Sequence, residues 1–301
     1  MRHVVPKEQP SIGLRAYLAR ALPGVPAWAL RRMLADRQVK RNGERLDAGD
    51  PVRGGDELTV YLPKELADRA VESSTAGPEI PTVPEIPTVF EDERIWLVVK
   101  PQGIASQGTD DPRGEPGVLE HLQRQLEERG ERRSLALCHR LDHLTGGLLL
   151  LAKDPETGAA LREAFARREV EKLYTCLTVG TPEPAQAELC AYLRKDARAA
   201  RVAVRDAPFA GALPIRTAYR VLEAGPVARL EVRLITGRTH QIRAHLAHIG
   251  HPLLGDDKYG DRAANRAHGA RAQRLWATGL TLRGSALGDL DGRSFRVQAP
   301  F

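Results

Sequence analysis

The chain has 301 residues, 42% of them apolar, a net charge of +6 and a sequence pI near 9.4. That is enough for a core in one large domain or in a small and a medium one, and the basic excess favours a polyanionic partner such as nucleic acid. Three cysteines without a CxxC pair argue against a disulfide framework or a cysteine-ligated zinc. The N-terminus has no apolar signal core, and the longest aliphatic run, Leu148–Leu151, is far too short for a bilayer, so a soluble, cytoplasmic protein is expected.

In chain order, SIGLRAYLARAL spaces Leu14, Leu18 and Leu22 as one helix face. A proline-bearing turn and a second helical stretch, WALRRMLADR, follow. Val39 to Gly43 reads as a strand entering an Asn-Gly turn, and ELTVYL alternates as another strand. Between Arg15 and Arg45 eight basic residues face two acidic ones. Arg31, Arg32, Lys40 and Arg41 flank the helix–turn–strand junction, where they either solvate a surface or contact phosphates. Residues 1–63 are therefore expected to form one small module. Residues 64–89 read as a linker, because Pro-Glu-Ile-Pro-Thr-Val occurs twice in tandem at 78–83 and 84–89 and frequent proline favours an extended spacer.

Residues 90–301 interleave strand-like runs (RIWLVVK, LLLLAK, LYTCLTV, ARLEVRLI) with helical ones (VLEHLQRQLEERG, TGAALREAFARRE). There is no regular βαβ period, which predicts an α+β fold and not a doubly wound one. No GxGxxG follows a strand and no GxxxxGK[ST] occurs, so no nucleotide cofactor is expected.

Three segments carry candidate chemistry. In HRLDHLTGG, residues 139–147, Asp142 follows a turn ahead of a buried strand, and two glycines behind it permit close backbone approach. In VEKLY, Tyr174 ends a charged run and opens an apolar one. The segment 234–256, LITGRTHQIRAHLAHIGHPLLGD, holds four of the nine histidines, His240, His245, His248 and His251. It lacks HExxH; a mixed site with Asp256 and Asp257 is the metal reading, and local hydrogen bonding is the other. The hydroxyl-rich basic stretch 236–243 suits an anionic partner better. Arg194, Lys195, Arg198, Arg201 and Arg205 form a further basic run, either a solvated hairpin or an RNA-backbone contact.

Together these segments resemble the RluA-type pseudouridine synthases over nearly all of residues 90–282: HRLDHLTGGLLLLAK as the aspartate motif, VEKLY as the tyrosine motif, and LITGRTHQIRAHLAHIGHPLLGD as the arginine motif, after the lead-in VFEDERIWLVVKPQGIASQG. VKRNGERL and GGDELTVYLP resemble an N-terminal S4-type RNA-binding module. Two positions depart from the pattern: Gly146 stands where the family usually has serine, and Trp276, in Leu275-Trp276-Ala277, where it often has histidine.

The resemblance implies a mixed, mostly antiparallel sheet with a central cleft and a cofactor-free, metal-free RNA isomerase acting on large-subunit ribosomal RNA in preference to tRNA; a monomer is the default expectation. It assigns Asp142 as the catalytic carboxylate, Arg243 as its charged partner and Tyr174 as a residue that stacks on the base and helps remove a proton. Arg140 would fill the space a flipped base leaves. Lys172, Arg238, Thr239, His240 and Leu275 would contact the RNA, as would Arg31, Arg32, Lys40 and Arg41 in the N-terminal module. The alternatives are a histidine-ligated metal hydrolase and a non-catalytic RNA-binding protein.

Overall fold

The computed structural model describes residues 2–6, 12–22, 25, 30, 33–47, 49–62, 86–108, 116–196 and 201–301. Arg31, Arg32, Arg198 and the greater part of the expected linker lie outside them. The chain divides into two compact units, one within residues 1–85 and one built from 86–108 and 116–301.

The first unit contains β1 (Arg2–Val4), β2 (Ile12–Gly13), α1 (Leu14–Ala21), β3 (Val39–Arg41), β4 (Glu44–Arg45), β5 (Pro51–Val52) and β6 (Glu57–Val60). Four strands form a sheet in the order β1-β6-β3-β4. The β3–β4 hairpin turns at Asn42 and Gly43, both at positive φ, as the Asn-Gly pair requires. Leu14, Leu18 and Leu22 are buried together against Val39, Leu58 and Val60, so the helix spacing and strand alternation meet in one core.

The second unit runs β7 (Thr88–Glu91), β8 (Ile95–Lys100), α2 (Val118–Glu128), β9 (Ala136–Leu137), β10 (Gly146–Ala152), α3 (Pro155–Ala166), β11 (Glu171–Val179), β12 (Gln186–Asp196), β13 (Arg201–Arg205), β14 (Leu213–Glu223), β15 (Val227–Leu234), α4 (Gln241–His248), α5 (Arg262–Ala267), β16 (Leu275–Thr281) and β17 (Ser294–Arg296). Eleven of these strands make one sheet, ordered β13-β12-β14-β15-β11-β16-β10-β8-β7, with β9 and β17 as side branches. Among its described strands β10 and β16 pair in parallel and the other pairs are antiparallel. The sheet starts earlier than the expected boundary at residue 90: Thr88 pairs with Val98, and Ile86 joins the core.

Both faces of the sheet centre are covered, which is why Leu148–Leu151 form a continuous apolar run and not an alternating one. Leu149 and Leu151 join a core with Leu122 and Leu126 of α2 and Ile242 and Leu246 of α4. Leu148 and Leu150 face the other way, onto Leu161 and Ala164 of α3 and Leu280 of β16. The segment between β9 and β10 is left at the edge of the first core, and it carries Asp142.

Candidate active site

Asp142 sits in a turn closed by the Thr145 N–H donating to the Asp142 carbonyl at 3.0 Å. This loop is anchored by side chains from elsewhere. Lys100 is fully buried at the end of β8, and its Nζ donates to the carbonyls of Pro101 (2.9 Å), Ile104 (2.6 Å) and His143 (3.1 Å). Burial lowers its pKa to about 8, against the pull of the Asp142 carboxylate. Ser106 accepts from the Leu141 N–H and donates to the Leu141 carbonyl. Gln102 donates to Leu144 O at 2.7 Å, and Gln273 to Thr145 Oγ1 at 2.6 Å.

The two glycines after the loop have distinct reasons. Gly147 has φ +107°, and a Cβ there would stand 2.2 Å from the Ala277 carbonyl oxygen of the parallel strand β16. At Gly146 a Cβ would lie 2.1 Å from Cζ3 of Trp276, its register partner. The two departures from the family pattern therefore touch: the indole fills the space that a side chain at 146 would need. Strand alternation turns Leu275 into the cleft, and Trp276 is not among the cleft-lining residues.

Arg243, on α4 and almost completely buried, reaches three carboxylates. Its Nη1 donates to Asp142 Oδ2 at 3.2 Å. Its Nε and Nη2 form a fork onto Asp256 at 2.7 and 3.0 Å, and Nη2 also reaches Asp257 at 3.2 Å. The bidentate grip that arginine favours is thus spent on Asp256, and the contact to Asp142 is single. Burial alone would raise the Asp256 carboxyl, but hydrogen bonds and charge from Arg243, with the N–H groups of Tyr259 and Lys258, hold it below its usual value.

Tyr174, on β11, is buried and lines the same cleft. Burial, reinforced by the negative charge of Asp142, pushes its phenol above the ordinary range, so at neutral pH it is a neutral hydroxyl. The cleft has a volume of about 1020 Å³ and brings together Asp142, Tyr174, Arg243, Arg140, Lys172, Arg238, Thr239, His240 and Leu275. Arg168, which has φ +63° and follows α3, joins them and was not singled out from the sequence. Lys172 is partly buried, and burial and Arg168 both lower its pKa. Among the described residues no carboxylate pairs with Arg140, Arg168, Lys172 or Arg238, so the mouth of the cleft offers unpaired cations above an acidic floor.

The four histidines of the arginine segment diverge. His240 meets Tyr259 Oη, His245 meets Thr217 Oγ1, His248 meets Asp206 and His251 meets the Val179 carbonyl. Among the described residues no three His, Cys, Asp or Glu side chains converge as metal ligands would. In the first unit Lys40 lies over the Tyr61 ring, while Arg41 pairs with Asp56 at 3.3 Å.

The family model for RNA pseudouridylate synthase matches residues 94–248. The chain is 33% identical over 296 residues to ribosomal large subunit pseudouridine synthase C of Escherichia coli K12, spanning 94% of this chain and 88% of that one. It is 31% identical over 270 residues to the protein of the same name in Vibrio vulnificus, spanning 88% and 82%. The solved structure of human RNA pseudouridylate synthase domain containing 1 matches with a TM-score of 0.59 at 24% identity, covering 74% of this chain and 87% of that one, a likeness of fold. The chain belongs to the RNA pseudouridylate synthase family. It is an RNA pseudouridine synthase, an isomerase whose partner is RNA, and the metal-hydrolase and non-catalytic readings are not favoured.

Proposed function

We propose that the protein isomerises selected uridines of large-subunit ribosomal RNA, with Asp142 as the catalytic carboxylate. The observation that carries this reading is the single contact from Arg243 to Asp142 at the floor of a cleft rimmed by unpaired cations. The names of the bacterial relatives support ribosomal RNA over tRNA. The reaction breaks an N-glycosidic bond, turns the uracil and rejoins it through carbon 5, with no net redox change and no atom supplied. A carboxylate suits it by attacking or stabilising the electron-poor ribose carbon.

A stacked uridine must first be extruded, at a cost of a few kcal/mol. Arg140, exposed beside Asp142, takes the vacated place, and Arg168, Lys172, Arg238, Thr239 and His240 hold the flanking phosphates and ribose. Leu275 and Tyr174 pack on the extruded base; the Tyr174 hydroxyl takes part in the late proton transfer through a hydrogen bond, not as a standing phenolate. Residues 1–63 act as an S4-like RNA-binding module through Arg31, Arg32, Lys40 and Arg41. The enzyme works as a cytoplasmic monomer. RNA tritiated at carbon 5 of uridine tests the reading. Release from ribosomal RNA by the wild type and not by Asp142→Asn is expected, with little release from tRNA transcripts. No release from ribosomal RNA refutes it.

A further inference from the structure

Tyr259 lies behind the cleft wall, on the turn after Asp256, and gathers contacts from three directions. Its hydroxyl accepts the Val202 N–H of β13 at 2.8 Å and lies 3.0 Å from His240 Nδ1. Its ring has the Arg201 guanidinium carbon at 5.1 Å and that of Arg243 at 5.4 Å. Its own N–H donates to Asp256 Oδ1 at 2.9 Å.

The hydrogen-bond inventory decides what the hydroxyl does. One lone pair is taken by Val202, and among the described residues His240 Nδ1 is the remaining partner for the O–H. If the O–H donates to Nδ1, that nitrogen is an acceptor and a neutral ring carries its hydrogen on Nε2. Burial keeps His240 neutral by lowering its pKa, although Asp142 pulls the other way. His240 lines the cleft and Tyr259 does not, and Nε2 is the ring nitrogen that Tyr259 leaves unengaged. The backbone of His240 is in the left-handed region at φ +54°, a conformation found at sites where a side chain is aimed for a purpose.

We propose that Tyr259 is a positioning residue whose hydroxyl fixes His240 in the Nε2–H tautomer, so that a hydrogen-bond donor faces the nucleotide held beside Asp142. The same hydroxyl ties that donor to β13, the strand carrying exposed Arg201 and Arg205. The proposal rests on the pseudouridine synthase reading for its substrate, but the tautomer exists in the free protein.

Two-bond proton–nitrogen correlation spectra of full-length protein with nitrogen-15 histidine read it directly, with His240→Asn used to assign the signal. The wild type is expected to show bare Nδ1 and protonated Nε2, and Tyr259→Phe a shift toward a tautomer mixture. In the tritium-release assay Tyr259→Phe should lower kcat/KM about tenfold, the equivalent of one hydrogen bond. RNA affinity should stay within about twofold, since the contacts of Arg140, Arg168, Lys172 and Arg238 are untouched and only the His240 donor is altered. A wild-type ring protonated on Nδ1, an unmoved tautomer in Tyr259→Phe, or unchanged turnover overturns the proposal. The wild-type spectrum decides the tautomer even if the variant folds poorly. A wild type with the expected tautomer that releases no tritium from ribosomal RNA sinks the functional reading and leaves the tautomer assignment standing.

Discussion

Replacing Asp256 with asparagine removes one charge and one acceptor from the most heavily bonded carboxylate in the site. Asp256 has no exposed side-chain surface and accepts four hydrogen bonds: two from Arg243, at 2.7 and 3.0 Å, and one each from the Lys258 and Tyr259 N–H groups, at 2.8 and 2.9 Å. Asparagine keeps one oxygen, which can satisfy the backbone donors, but it turns an amide N–H₂ toward a guanidinium. Arg243 would remain buried with the half-exposed Asp142 and the exposed Asp257 as its carboxylates. Breaking a buried pair by removing one partner costs about 3–5 kcal/mol, and the retained oxygen places this variant near 3. Urea unfolding followed by tryptophan fluorescence measures it, because Trp96 is fully buried in the same unit. Turnover should fall at least about tenfold as the guanidinium loses its anchor, with RNA affinity little changed. A stability loss below about 1 kcal/mol with normal tritium release would show that the fork onto Asp256 does not hold Arg243 in place.

Three further outcomes follow from the geometry. Tyr174→Phe keeps the ring and should retain RNA binding while turnover falls by about two orders of magnitude or more; equal tritium release would remove the hydroxyl from the chemistry. Gly146→Ser drives a side chain into Trp276 and should cost about 1–3 kcal/mol in thermal or urea unfolding, whereas Gly146→Ser with Trp276→His should recover much of it; additive losses would refute the coupling. Burial lowers the His245 pKa to about 4, so the unfolded chain takes up a proton near pH 6.5 that the folded protein refuses. This group's contribution is whole above pH 6.5 and is lost as pH falls toward 4, at up to about 1.4 kcal/mol per unit; His245→Asn should flatten that part of the stability profile.

Much of the site could be read along the chain because its parts lie in long contiguous motifs. Asp142, Tyr174 and Arg243 come from three separated segments, and each is positioned by the element its own neighbours form: a turn before an apolar strand, an alternating strand, and a helix buried over most of its length. The α+β class followed from the irregular order of strand and helix patterns, and the mostly antiparallel sheet from the family resemblance. Partners across the fold were not legible. Nothing local marks Lys100 as a buried lysine bonded to three carbonyls, since its end in β8 reads as an ordinary polar stop. Asp256 looked like a companion of the nearby histidines, yet those four rings leave α4 and its flanks in different directions, and the aspartate turns back to Arg243. That the guanidinium fork falls on Asp256, with a single bond left for Asp142, was not legible for the same reason: side-chain pairing between distant segments is decided by tertiary approach. Trp276 and Gly146 read along the chain as two unrelated departures from the family pattern; strand alternation turns Trp276 from the cleft and brings it against Gly146.

Lys100 has a consequence for how the enzyme spends its affinity. A cation that ligates three main-chain oxygens behaves like a built-in metal ion, knotting residues 101, 104 and 143 together before any substrate arrives. Ordering a free loop would draw on the association energy, roughly 1–2 kcal/mol of backbone entropy for each residue fixed. Here that ordering is completed during folding. Contacts made with the RNA can go toward prising one nucleoside from its stack, so the loop acts as a rigid anvil and the nucleic acid is the partner that deforms.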